Sequence, residues 1–184
     1  VGHRSLLATT GGLNTALGKE AGTTLSSGQR NTFVGSLAGN TASTMEDSVA
    51  VGNDAGLFAT TAHSSVFIGA DAGQGITGVK LTANENTCVG AQAGLILQGD
   101  DCAGNTLVGF AAGKAITTGA NNTFVGINTG DATSTGSNNT FMGRNSGGAG
   151  VVTGNSNTCM GINAGLVITS GGNNLLLGND AGVS

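Results

Sequence analysis

One nine-residue phrase recurs ten times along this chain of 184 residues, and it limits what the chain can become. The phrase reads Asn-Thr-apolar-apolar-Gly-x-x-Ala-Gly in its commonest form. Its copies begin at Asn14, Asn31, Ser48, Ser65, Asn86, Asn105, Asn122, Asn139, Asn157 and Asn174. They follow one another at 17 residues, except for single steps of 21, 19 and 18. Both glycines are present in every copy, from Gly18 and Gly22 in the first to Gly178 and Gly182 in the last. Val1-Gly2 reads as the tail of an eleventh copy, so the chain reads as a piece of a longer protein. A fixed short period means stacked identical units, each too small to bury its apolar face alone.

A 17-residue unit is too short for a helical hairpin repeat, and it carries no 3.6-residue apolar stripe. It does carry a short β-branched run, Thr-Phe-Val in its commonest form, bounded by Asn and Gly. A second, weaker strand is expected at Ala115-Ile116-Thr117-Thr118, Val167-Ile168-Thr169 and Thr24-Leu25-Ser26, each followed by a Gly turn signal. Two short strands and two tight corners make one coil of a parallel β-solenoid. Ten coils at about 4.8 Å give a rod of about 48 Å. The absence of Pro fits, because Pro cannot donate to a ladder. The fold expected is therefore all-β: a single repeat domain over residues 1–184, with irregular inserts at 74–85 and 95–104.

Within the strand, the fourth position is always aliphatic or Met: Leu17, Val34, Val51, Ile68, Val89, Val108, Val125, Met142, Met160 and Leu177. The second is Thr or Val except at Leu175. These two columns share a face and are assigned to the coil core, beside the Ala of the corner. The third column points the other way, and it too is apolar: Ala16, Phe33, Ala50, Phe67, Cys88, Leu107, Phe124, Phe141, Cys159 and Leu176. A strand apolar on both faces is buried on both. Exposing four Phe would forgo about 2 kcal/mol each, so the third column is assigned to an interface between identical chains. Self-association follows from this pattern, but the number of chains does not.

Charged residues are 9% of the chain and the net charge is −4, which gives no electrostatic reason to bind nucleic acid or anionic lipid. No apolar run is long enough to cross a bilayer as a helix. Gly, Thr and Asn dominate, at 35, 24 and 19 residues, and neither Trp nor Tyr occurs. Sparse titratable groups argue against an enzyme. His3 and His63 have no recurring nucleophile or carboxylate partner, so no catalytic or cofactor-binding residue is assigned. Gly18-Lys19 and Gly113-Lys114 lack P-loop spacing.

Cys88 and Cys159 lie four coils apart, near 19 Å at about 4.8 Å per coil, too far for a disulfide. Copies of Cys88 from neighbouring chains could meet at an axis, as a bond or a metal pocket; the plainer reading is a small buried hydrophobe. Cys102 lies in an insert. Glu20, Asp54, Asp71 and Asp180 sit in Gly-bounded corners that suggest calcium turns, but they are isolated acids where hard cations need several oxygen ligands. They are read as solvated, and no metal site is assigned. Asn121-Asn122-Thr123 and Asn138-Asn139-Thr140 match a glycosylation sequon and also belong to the repeat, whose stacked Asn amides can bond from coil to coil. Outward hydroxyl pairs (Ser26-Ser27, Thr60-Thr61, Thr117-Thr118, Thr169-Ser170) offer an ice-binding alternative.

The stretch Asp47-Ser48-Val49-Ala50-Val51-Gly52-Asn53-Asp54-Ala55-Gly56 resembles the head repeat of YadA-like trimeric autotransporter adhesins. Thr118-Gly119-Ala120-Asn121-Asn122-Thr123-Phe124-Val125-Gly126 is similar to the stalk repeats of phage tail fibres and related virus-encoded fibre proteins, as is Asn14-Thr15-Ala16-Leu17-Gly18. The resemblance spans residues 14–182. It implies a homotrimeric parallel β-roll, exposed outside a cell or on a virion, serving as a stalk or an adhesive head. The expected partners are sister chains and a surface receptor or glycan; no membrane insertion and no cofactor are expected. The function expected is a non-enzymatic fibre segment supporting attachment. The alternatives are an adhesin head on a bacterial surface and an ice-binding solenoid.

Overall fold

The computed structural model describes residues 2–7, 9–148 and 150–183, so Val1 of the expected eleventh copy lies outside the described residues. The chain is a parallel β-solenoid with one three-residue strand per coil. The strands are β1 (Thr15–Leu17), β2 (Thr32–Val34), β3 (Val49–Val51), β4 (Val66–Ile68) and β5 (Thr87–Val89), then β6 (Thr106–Val108), β7 (Thr123–Val125), β8 (Thr140–Met142), β9 (Thr158–Met160) and β10 (Leu175–Leu177). They form one ten-stranded sheet in sequence order. The phrases align without slippage: Thr15 pairs Thr32, Phe33 pairs Ala50, and Leu107 pairs Phe124. The insert before β5 leaves the register intact, with Phe67 opposite Cys88.

The second side of each coil does not form the strand expected there. Bonds do pass between coils, as from Thr24 N–H to Asn40 O (3.2 Å) and from Thr117 N–H to Ser134 O (3.0 Å). The residue between them turns back to its own coil instead. Leu25, Ile116 and Thr133 donate to Gly22, Gly113 and Gly130. Only alternate amides reach the neighbouring coil, leaving isolated bridges such as Thr133 with Val152.

The strand faces are the reverse of the sequence-based assignment. Phe33, Ala50, Phe67, Cys88, Leu107, Phe124, Phe141 and Cys159 are fully buried inside the single chain, and Ala16 and Leu176 of the end coils pack against the same core. This column is the coil interior, not a subunit interface. Leu17, Val34, Val51, Ile68, Val89, Val108, Val125, Met142, Met160 and Leu177, assigned above to the core, face outward and are half-buried or exposed. The physical reason lies with the second column, which shares their face. Seven of its residues are Thr, and turning that face inward would bury seven hydroxyls in a coil too narrow to partner them.

Packing inside the coil is a match of volumes. The third-column residue faces the one nine positions on, across the coil. Ala16, Cys88 and Cys159 stand with Leu25, Leu97 and Ile168, whereas Phe33 and Phe124 stand with Ala42 and Thr133. In these five coils large stands against small and keeps the interior filled, whereas Ala50 stands with Ala59 and Leu107 with Ile116. Phe124 and Phe141 stack in register, centroids 4.8 Å apart and planes 5° apart.

The first residue of each phrase holds the coils together. Asn105 Oδ1 accepts from Asn122 N–H (3.0 Å) and Asn122 Nδ2 (3.1 Å), and Asn122 Oδ1 accepts from Asn139 N–H (2.9 Å). Asn122 Nδ2 also donates to Gly136 O (2.9 Å), tying the strand to the far end of its own coil. Where Ser replaces Asn the chain of bonds continues: Asn31 Oδ1 accepts Ser48 N–H, Ser48 Oγ accepts Ser65 N–H, and Ser65 Oγ accepts Asn86 N–H. The ladder thus runs unbroken from Asn14 to Asn174.

The two glycines are needed for different reasons. Gly35 has φ +134°, and a Cβ there would lie 2.2 Å from Gly52 O of the next coil. Gly39 has φ +56°, and its Cβ would lie 2.4 Å from Phe33 Cε1. The remaining left-handed positions are two per coil and mostly not glycine. One of these columns contains Asp54, Asp71, Asn128, Asn145, Asn163 and Asp180, all at φ +53° to +59°. Asn and Asp tolerate that region best among non-glycine residues.

Two substitutions should move stability in opposite directions. Asn122→Ala removes three side-chain donor and acceptor contacts and strands buried partners, at about 2–4 kcal/mol. Thr133 is fully buried, and its Oγ1 has no hydrogen-bond partner. Thr133→Val, of equal shape, should therefore gain about 1 kcal/mol. Thermal unfolding checks both, at about 2–4 °C per kcal/mol for a chain of this size.

Candidate functional surfaces

Because the third column fills the interior, the outer face of β1–β10 is the surface left over, and one of its two columns, the fourth, is apolar for its whole length. That face carries the second and fourth columns side by side. Three residues wide and ten coils long, it measures about 10 Å by 48 Å. Of its area of about 480 Å², roughly half belongs to the apolar fourth column, no more than an ordinary monomer's largest patch. Leu17, Ile68, Met142, Met160, Leu175 and Leu177 are 38–67% exposed. In the C-terminal half three coils add to the patch, where the residue after the first glycine is Phe110, Ile127 or Ile162, each 44–52% exposed, while Arg144 and Asn179 take that place in the other two. The corresponding N-terminal positions are Lys19, Ser36 and Asn53. That exposed trio went unremarked in the sequence, because the corner residues there show no common apolar pattern.

Two kinds of hydroxyl row emerge. Ser26, Thr60 and Thr117, on the second side, donate to the next coil at Ser43 O, Leu81 O and Ser134 O (2.9–3.4 Å). These hydroxyls serve the scaffold. On the sheet face, Thr32, Thr87, Thr106, Thr123, Thr140 and Thr158 make no side-chain hydrogen bond among the described residues. Ser27, Thr118 and Ser170, the second members of three of the pairs singled out by sequence, are likewise exposed and make no side-chain hydrogen bond among the described residues.

The cysteines are all free and fully buried. Burial pushes the Cys88 thiol far above its ordinary range and those of Cys102 and Cys159 up to about 11. Cys88 and Cys159 lie in the interior of their own chain and so cannot meet copies from neighbours at an axis. Asp54 and Asp71 occupy left-handed corners one coil apart. Burial, together with the neighbouring Asp71, raises the Asp54 carboxyl above its usual range. Among the described residues no group of three or more His, Cys, Asp or Glu is placed to hold a metal ion.

His63 Nδ1 accepts Glu46 N–H (3.1 Å), and His63 N–H donates to Asn84 Oδ1 (2.8 Å). Both contacts belong to the corner. Beside them the Arg30 guanidinium meets Asp47 Oδ2 at 2.9 Å and holds that carboxyl below its ordinary value. Both groups are exposed, so the pair adds little stability. The sequons divide cleanly: Asn122 and Asn139 are ladder residues, whereas the acceptor positions Asn121 and Asn138 lie exposed in left-handed corners. No family model, curated protein or solved structure matches the chain.

The thiols give a direct check of which strand face is inside. Native protein at mildly alkaline pH should resist a thiol-specific disulfide reagent, and denatured protein should expose all three thiols. Prompt native labelling of Cys88 or Cys159 would contradict the interior assignment.

Proposed function

We propose that this chain is a non-enzymatic shaft segment of an extracellular fibre, on a virion appendage or a cell surface, whose copies associate side by side. The observation that carries the reading is the apolar fourth column, which runs along the outer face of β1–β10 through all ten coils. A rigid rod with one oily column along its length can hide that column only against another long, flat surface, and a sister chain supplies one of matching length. The association surface proposed is the second and fourth columns, with Phe110, Ile127 and Ile162 widening it, in place of the third column.

The resemblance to fibre and YadA-like repeats sets the expected number at three and supports a role in attachment, through a receptor or glycan contacted at a tip or along the shaft. The same surface would serve an adhesin head equally well. The solvent-open Thr row favours a second reading, ice binding, in which the sheet face meets ordered water; thermal hysteresis of the purified protein would support it over the first.

Light scattering tests the shaft reading. The wild-type chain should have a mass that is a multiple of 17.7 kDa. Val125→Asp with Met142→Asp should give a folded monomer, because both side chains are partly or largely exposed in the single chain. Phe124→Asp should instead abolish folding. A well-folded wild-type monomer at micromolar concentration would overturn the proposal.

A further inference from the structure

Of the 19 Asn in the chain, only Asn121 and Asn138 are followed two places on by Ser or Thr, so the two sequons of this chain lie one coil apart. Each sequon sets two amides side by side, and the fold gives them different tasks. Asn122 and Asn139 are buried and spend their side chains on the ladder, donating to Gly136 O (2.9 Å) and Gly154 O (3.0 Å). Asn121 and Asn138, the acceptor positions, are exposed, and their side chains make no hydrogen bond among the described residues.

The scaffold asks nothing of these two side chains. The residue before the phrase makes a left-handed bend, and Arg30, Asp47, Ser64, Glu85, Ser156 and Asn173 hold that bend elsewhere at φ +53° to +63°. What ties the corner to the preceding coil is the main chain: Asn121 N–H donates to Ala103 O and Asn138 N–H to Ala120 O, both at 2.9 Å. The third residue of each sequon is equally free. Thr123 and Thr140 are half-buried on the sheet face with their hydroxyls unbonded among the described residues, and Val49 and Val66 fill the same place in β3 and β4. Amide and hydroxyl, the two groups that define a sequon, are therefore both spare in both copies.

We propose that Asn121 and Asn138 are acceptor sites for N-linked glycan. In the transfer, the acceptor's amide nitrogen attacks the anomeric carbon of an oligosaccharide carried on a lipid pyrophosphate. The new bond joins that carbon to Nδ2, the bond from the carbon to the pyrophosphate oxygen breaks, the amide gives up one proton, and the lipid pyrophosphate leaves. A glycan is bulky and needs open surface. On Asn122 or Asn139 it would displace the ladder, whereas on Asn121 or Asn138 it stands in solvent beside a finished coil. The assignment rests on the extracellular placement proposed above, because the sugar donor and its transferase are met on the secretory route; it does not depend on how chains assemble.

Expression of the whole chain behind a secretion leader in cultured eukaryotic cells tests this, with secreted and cell-retained protein assayed alike. Wild-type protein should be heavier than 17.7 kDa, and peptide N-glycosidase should return it to that mass. The enzyme leaves an aspartate at each former acceptor, so mass spectrometry should find the change at position 121, 138 or both, and not at 122 or 139. Asn121→Gln with Asn138→Gln should lose all glycan. Thr123→Val with Thr140→Val should lose it too, although both acceptor amides remain. Wild-type protein free of glycan, glycan on Asn122 or Asn139, or glycan retained by either double variant would each overturn the assignment. Light scattering of the deglycosylated protein reads chain association separately, so a monomer there would count against the shaft and leave the acceptor sites standing.

Discussion

Everything in this molecule depends on one requirement: each backbone polar group inside a 17-residue coil must find a partner, most often in the coil above or below. The parallel ladder of β1–β10 meets the requirement along the strand. At the strand entrance the chain turns inward and an amide is left facing the interior, where an unpaired donor would be costly. The Asn or Ser at the head of each phrase accepts that amide from the next coil. The Asn residues at 14, 31, 105, 122, 139 and 157 also donate across to the far end of their own coil. One side chain thus fixes both the stacking and the width of the coil.

That requirement explains the unusual composition. Coils can approach to ladder distance only where no Cβ intervenes, which is why Gly35 abuts Gly52 and the same glycine recurs in every copy. Closing a coil in so few residues also needs left-handed corners, and these collect Asn and Asp. The aspartates that suggested calcium turns are accounted for by backbone conformation. Low charge and abundant Gly, Thr and Asn reflect this geometry, since few positions per coil are free to vary.

The apolar fourth column of the sheet face stands outside this economy. Nothing in the coil's internal geometry requires Met142, Met160 or Ile68 to be oily, and a Thr–Ser face would stack as well. Its persistence over ten coils is a property of the exterior. The surface reading therefore rests on that face, and the interior accounts for the Phe residues that first suggested an interface.

The repeat, the position of each strand in the ten-stranded sheet, the glycine corners and the stacking of Asn were legible in the sequence, because each depends on local spacing that a period of 17 makes plain. Which face of the strand is inside was not, because side chains alternate with period two and here both faces are apolar, so alternation alone carries no sign. Two signals could have supplied it: the seven Thr of the second column, whose hydroxyls belong outside, and the exchange of volumes between Ala16 and Leu25 or Phe33 and Ala42, nine residues apart. Only the tertiary structure brought those pairs across the coil from each other. It alone could also separate Asn122, committed to the ladder, from Asn121 beside it, left open to solvent, since contacts between coils depend on where the chain lies after it has turned.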